Sequence, residues 1–149
     1  MIASRFAALF AAATILFSSP TFSASGSYQD ALSSSSTLYE QGRFQEAIPH
    51  AKEAIAIAER EIGADDVVYA ALLNNLAGLY ETEMNYAEAR PLYRRALDIR
   101  VKAYGSTHPE VVNSLLNLAL IYDALGDYVA AEMMDERATE IIEASNRQG

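Results

Sequence analysis

From Leu72 to Tyr80 the apolar side chains Leu72, Leu73, Leu76, Leu79 and Tyr80 recur every three or four residues, the spacing that collects them on one face of a helix. A mostly polar stretch over residues 81–85, broken by Met84, follows. A second stripe then runs through Ala89, Leu92, Tyr93, Ala96, Leu97 and Ile99 to Val101. Two amphipathic segments of helical length joined by a few polar residues predict a helical hairpin.

That hairpin is written more than once. Leu73-Asn74-Asn75-Leu76-Ala77-Gly78-Leu79-Tyr80 lines up with Leu115-Leu116-Asn117-Leu118-Ala119-Leu120-Ile121-Tyr122 at a constant offset of 42. The same offset carries through Tyr86/Tyr128, Ala89/Ala131, Arg95/Arg137, Ala96/Ala138 and Ile99/Ile141. Moving back by the same step from Met84, Tyr86, Ala89, Ala96 and Ile99 reaches Gly42, Phe44, Ala47, Ala54 and Ile57, so a first copy precedes the other two. Its front half is worn, with Ser34 and Ser35 where the others have Leu and Ala. Repetition at a fixed period of this size predicts a stack of helix pairs, each burying its apolar face against the next. The units span about residues 28–61, 70–103 and 112–145.

The joints carry their own signals. Asn85 and Asp127 are expected to cap the second helices, with Glu88 completing a capping box. Thr107-His108-Pro109-Glu110 reads as a capping box ahead of the third unit's first helix, with Asp65 at the equivalent place one unit earlier. Gly42 and Gly126 suit the left-handed residue that ends a helix.

The order Leu73, Leu76, Ala77, Tyr80, Tyr86, Ala89, Tyr93, Ala96 resembles the tetratricopeptide repeat. Asn74-Asn75-Leu76-Ala77, Arg90-Pro91-Leu92-Tyr93-Arg94-Arg95-Ala96-Leu97 and Gly105-Ser106-Thr107-His108-Pro109 resemble its kinesin-light-chain-like subtype. The period is also longer than that of the plain repeat. Met84 stands where the pattern has Gly, and Asp135 where it has an aromatic. The resemblance implies an all-α superhelix of three hairpins whose first helices line a concave groove for a protein or peptide partner. Carried over by position, that groove holds Ala71, Asn74, Asn75, Gly78, Glu81 and Thr82 in the second unit. In the third it holds Asn113, Leu116, Asn117, Leu120 and Asp123. Asn75 and Asn117 are equivalent, and an amide that both donates and accepts suits the backbone of an extended peptide. Places where some relatives hold a carboxylate-binding Lys or Arg carry Leu32, Ser36, Asn75, Asn113 and Asn117, which disfavours that role.

The two end helices read as polar caps. Asp135 with Glu132, Glu136 and Glu140 suits a last helix with nothing stacked on it, and the run Ser33 to Ser36 makes the opening helix polar and prone to fray. Met133, Met134 and Ile142 on that last helix motivate the alternative of self-assembly through the stack ends, as a structural or accessory subunit. The tyrosines Tyr80, Tyr86, Tyr93, Tyr122 and Tyr128 recur with the repeat itself and read as core.

Composition adds a place for the protein and removes several chemistries. Arg5 followed by an uncharged, mostly apolar run from Phe6 to Phe17 and then Ser18-Ser19-Pro20 reads as a secretory signal over residues 1–25, cut between residues 23 and 26. A membrane-spanning helix needs about 20 residues, so the run is too short to remain as one. The tetratricopeptide domain then covers residues 26–149, exported to a periplasm or the exterior. With 11 basic and 20 acidic residues the chain stands at −9, and loss of Arg5 takes it to −10, so charge disfavours nucleic acid and anionic lipid as partners. There is no cysteine, and the two histidines, His50 and His108, sit far apart in sequence. No catalytic constellation, metal site or cofactor site is expected. Half the basic residues of the domain, Arg90, Arg94, Arg95, Arg100 and Lys102, fall on one helix, where a solvated face pairing with Glu88 and Asp98 is the expected role.

Overall fold

A computed structural model describes residues 26–147; residues 1–25, read from sequence as a secretory signal, lie outside the described residues. Six α-helices and one 3-10 turn make up the described chain. They are α1 (Tyr28–Glu40), α2 (Phe44–Glu61), α3 (Val67–Thr82), α4 (Tyr86–Tyr104), the turn Pro109–Val111, α5 (Val112–Ala124) and α6 (Tyr128–Asn146). Each helix packs chiefly on its neighbours in sequence, so α1/α2, α3/α4 and α5/α6 form three hairpins stacked in order.

The repeat period is visible in the backbone. First helices end at Glu40, Thr82 and Ala124, and second helices begin at Phe44, Tyr86 and Tyr128. The turn inside each hairpin is one motif built three times. Arg43, Asn85 and Asp127 donate their backbone N–H to the carbonyls of Leu38, Tyr80 and Tyr122 at 2.9, 2.8 and 2.9 Å. Gly42, Met84 and Gly126 donate to Tyr39, Glu81 and Asp123 at 2.9, 2.9 and 3.0 Å. These are the paired bonds of a Schellman motif, which needs a left-handed residue at its tip. Gly42 (φ 73°) and Gly126 (φ 80°) supply it freely; Met84 takes it at φ 56° despite its Cβ.

Several expected caps are relocated. Asp66, not Asp65, caps α3 by accepting from the N–H of Val68 at 2.7 Å, and Asp65 pairs with Lys102 at 2.7 Å. The equivalent cap one unit later is His108, whose Nδ1 accepts from the N–H of Glu110 at 3.2 Å, so Thr107 is not the cap. Asp127 does cap α6, through the N–H of Ala130. Asn85 makes no side-chain cap bond, and neither does Arg43 at the same position; the Schellman linkage, common to all three turns, sets the start of these helices. Expected to be prone to fray, α1 is a regular helix here, opened by a capping box between Ser27 and Asp30. Its serines bond within the protein: Ser35 reaches the Ala47 carbonyl of α2, and Ser34 and Ser36 bond carbonyls one turn back.

Alanines at equivalent places are fully or almost fully buried, with Ala47, Ala89 and Ala131 in one row and Ala54, Ala96 and Ala138 in another. Small residues there let neighbouring helices approach, and large ones fill the space between, as Tyr93, Leu97, Leu115, Leu118 and Ile121 do between the second and third units. Tyr93 and Tyr122 are core, and Tyr80 and Tyr86 pack against it, but Tyr128 is 70% exposed, because no described helix covers α6 as α5 covers α4. The two end faces are polar where inner faces are apolar. Asp30, Ser34 and Thr37 of α1 hold the places of Leu72, Leu76 and Leu79; Asp135, Thr139 and Glu143 of α6 hold those of Tyr93, Leu97 and Val101. Stacking of copies end on end would bury carboxylates against hydroxyls and so is not favoured by these faces.

Candidate partner-binding surface

The middle first helix is enclosed. Tyr28 and Ala31 of α1 share a core with Tyr69, Leu72 and Leu73 of α3, while Ala77 joins Val111, Leu115 and Leu118 of the third unit. Most of α3, from Tyr69 to Leu79, is buried in consequence. Asn74 is 2% exposed and Asn75 6%, so these two expected groove residues do not present their amides to a partner. Both polar atoms of Asn74, and the amide nitrogens of Asn75 and Asn117, are buried without a hydrogen-bond partner.

The third unit is open. Asn113 and Asp123 are exposed, Leu116 and Leu120 are 38% and 47% exposed, and Asn117 is half-buried between them. These five expected residues recur at helical spacing and share one face of α5. Glu81, at the position equivalent to Asp123, is half-buried, and its Oε2 accepts the Tyr93 hydroxyl at 2.8 Å. Burial raises the proton affinity of the Glu81 carboxyl above the usual carboxylate range, and the Tyr93 bond offsets part of that rise. The Tyr93 hydroxyl, itself buried against this carboxylate, is pushed far above the ordinary tyrosine value. The reachable surface is therefore one face of α5 with Glu81 and Thr82 beside it. Repeat position alone puts Asn74 and Asn75 on one wall with Glu81 and the α5 residues, and only the enclosure of α3 separates the two asparagines from them.

The basic helix α4 presents Arg90, Arg94, Arg95 and Lys102 to solvent as expected, but with other partners. None of its arginines pairs with Glu88 or Asp98 among the described residues. Arg94 donates to the Tyr122 hydroxyl at 3.0 Å, and Arg100 donates to the buried Ser114 hydroxyl of α5. Arg95 reaches the Ala64 carbonyl at 3.5 Å, a contact repeated one unit later between Arg137 and the Ser106 carbonyl at 3.4 Å. These cations tie helices and connecting loops together. His108, besides capping, stacks on Tyr104 with ring centroids 5.1 Å apart. Among the described residues no group of three or more Asp, Glu or His side chains is placed to hold a metal ion, and no helix is long and apolar enough to cross a membrane.

Comparison with known proteins agrees with this geometry. The tetratricopeptide repeat family matches residues 31–83 and again 68–144. The chain belongs to the tetratricopeptide repeat family. Its array is similar to BtubC (BKLC) from P. vanneervenii, with a TM-score of 0.74 and 28% identity over 80% of this chain and 48% of that one. It has the fold of the kinesin-light-chain-type TPR-like repeats of Podosopora anserina, at a TM-score of 0.68 and 24% identity, covering 76% of this chain and 53% of that one. In sequence it is 31% identical over 102 residues, 68% of the chain, to a clustered mitochondria protein homolog of Debaryomyces hansenii. The chain spans only 8% of that protein's length and about half that of BtubC.

Proposed function

We propose that this tetratricopeptide array is a non-enzymatic adaptor that holds a protein or peptide against the open face of α5, outside the cytoplasm. The observation that carries the reading is an inversion of the usual burial rule between equivalent positions. Asn74 and Leu116 stand one repeat apart, and it is the polar one that is buried and the apolar one that is exposed. Gly78 and Leu120 repeat the contrast, with Gly78 buried and Leu120 nearly half exposed. Packing alone would favour the reverse arrangement. Two leucines a helical turn apart, flanked by Asn113, Asn117 and Asp123, form an apolar centre with a polar rim, the composition of a partner-binding patch. Export rests on the charged, apolar and small-residue order of residues 1–25.

The test is affinity capture from the extracytoplasmic fraction of the source cell, with the wild-type domain compared against Leu116→Ser/Leu120→Ser. Both side chains are partly exposed, so the variant keeps its fold and is expected to lose the partner. Equal recovery would remove α5 from the reading. Sequencing the N-terminus of the protein recovered from that fraction checks export: a start at residues 24–26 is expected, and an intact Met1 excludes cleavage.

A further inference from the structure

We propose that the partner segment carries a primary amine or guanidinium, a Lys or Arg side chain, and that Glu81 receives it. This rests on the reading of the groove face as the partner site and adds the chemistry of what lies there. The first observation is a complete segregation of the Lys and Arg residues by helix, while acids fall on both kinds. All the Lys and Arg residues of the described chain, Arg43 through Arg147, sit on the second helices or at their ends, and α1, α3 and α5 carry no Lys, Arg or His. The charges those three groove helices do carry are Asp30, Glu40, Glu81 and Asp123. The charges that the first helices themselves carry are thus of one sign, which disfavours carboxylate or phosphate groups along them.

The second observation is the setting of Glu81. It is the half-buried carboxylate of the groove face, and no cation of the described chain lies within ion-pair distance of it. Its Oε2 is held by the Tyr93 hydroxyl from α4, which fixes the plane of the carboxylate. Tyr39 of α1 lies near enough for the Glu81 charge to hold its hydroxyl protonated to higher pH, an effect second to its own burial. The carboxylate is thus set between aromatic side chains of two different helices, with Thr82 beside it. A desolvated carboxylate with hydroxyl contacts but no counter-ion binds an incoming ammonium or guanidinium more strongly than a solvated one does, because the local dielectric is lower. Asp123 repeats the position one unit on, in the open, so a second basic residue of the same segment has a partner along the face.

A competing place for a cation is the cleft of about 720 Å³ on α6, lined by Asp123, Glu132, Asp135, Glu136, Glu140 and Glu143. The experiment separates the two. Fluorescein-labelled short peptides of alternating Leu and Lys, Leu and Gln, or Leu and Glu are titrated into the domain and followed by anisotropy. The Leu/Lys peptide is expected to bind most tightly. Glu81→Gln keeps an acceptor for the Tyr93 hydroxyl, preserves the fold, and is expected to weaken Leu/Lys binding about tenfold, the scale of one hydrogen bond to a charged group. Glu132→Gln/Glu136→Gln removes twice as much charge from the α6 cleft and is expected to change it less than about twofold, as separated and screened surface charges do. Equal weakening by both variants, or Leu/Glu binding as tight as Leu/Lys, overturns the proposal. If Leu/Gln binds as well as Leu/Lys and Leu116→Ser/Leu120→Ser abolishes both, the groove stands and the cation receptor falls. If no peptide binds, the groove reading fails and takes this one with it.

Discussion

Met84 occupies the tip of a Schellman turn that its counterparts build with glycine, and replacing it isolates the energy of that one backbone conformation. At φ 56° the Met84 Cβ crowds the following carbonyl, at a cost of roughly 1–2 kcal/mol for an L-residue. Glycine removes that cost but loses about 0.4–1 kcal/mol through the greater freedom of the unfolded chain. The side chain is 75% exposed, so little packing is at stake, and Met84→Ala serves as the reference that has already given up what contact there is. Going from Met84→Ala to Met84→Gly is therefore expected to stabilise the domain by roughly 0.5–1 kcal/mol, a rise in thermal midpoint of about 2–5 °C. Gly126→Ala is the mirror experiment. The added Cβ would have no heavy atom within 4 Å, so the strain is in the backbone alone, and the variant should lose what Met84→Gly gains. Urea unfolding followed by far-UV circular dichroism measures both, with m-values compared so that a loss of cooperativity along the array is not mistaken for a change in stability. A Met84→Gly variant no more stable than Met84→Ala refutes the reasoning.

Three further outcomes follow from the buried polar groups. Asn74→Leu replaces an amide whose two polar atoms have no partner with a side chain of similar size, and should raise stability by about 1–3 kcal/mol in the same urea assay. Ser114→Ala removes the acceptor of the partly buried Arg100 guanidinium, whose proton affinity burial already lowers, and should cost about 1–3 kcal/mol. Arg100→Met/Ser114→Ala is expected to cost less than the sum of the two single changes. For Glu81 the sign runs opposite to that of a salt-bridged acid: burial raises its folded pKa above the unfolded value, so the fold is favoured below the unfolded pKa and loses that advantage as pH rises through the folded one. Glu81→Gln should therefore be more stable than the parent at neutral pH and lose its lead on acidification; a constant difference across the range would exclude the mechanism.

Most of the architecture was legible because it is local and repeated. The constant offset between copies fixes where each hairpin turns, and the turn chemistry of Gly42 and Gly126 reappears in the backbone bonds that close each turn. The caps were misread by one position at Asp65 and Thr107: Asp66 is as good a cap as Asp65, and His108, which N-cap preferences do not favour, is placed by the backbone to accept through Nδ1. The site was legible by position and not by access. Repeat position puts Asn74 and Leu116 on the same wall, and nothing local to either says that the wall is covered in one unit and open in the next. The α4 arginines are largely solvated as expected, but their partners were misread for a related reason. Carboxylates one turn away in sequence looked like their partners, whereas the partners are a tyrosine hydroxyl, a serine hydroxyl and a loop carbonyl supplied by other parts of the stack.

The segregation of the cations joins these separate findings. In a stack of hairpins the second helices must hold their own connecting loops and the next unit, and the cations of α4 and α6 do this through Tyr122, Ser114, Ala64 and Ser106. That structural duty explains why cations are present on the second helices. It does not explain why the first helices have none, because the exposed face of α5 would tolerate Lys or Arg as easily as the Leu116, Leu120 and Asp123 it presents. Solubility alone would put a charge in place of an exposed leucine. A face that keeps two leucines in water, carries no cation and holds its inner carboxylate without a counter-ion is what the proposed partner, with apolar side chains and positive charge of its own, would require.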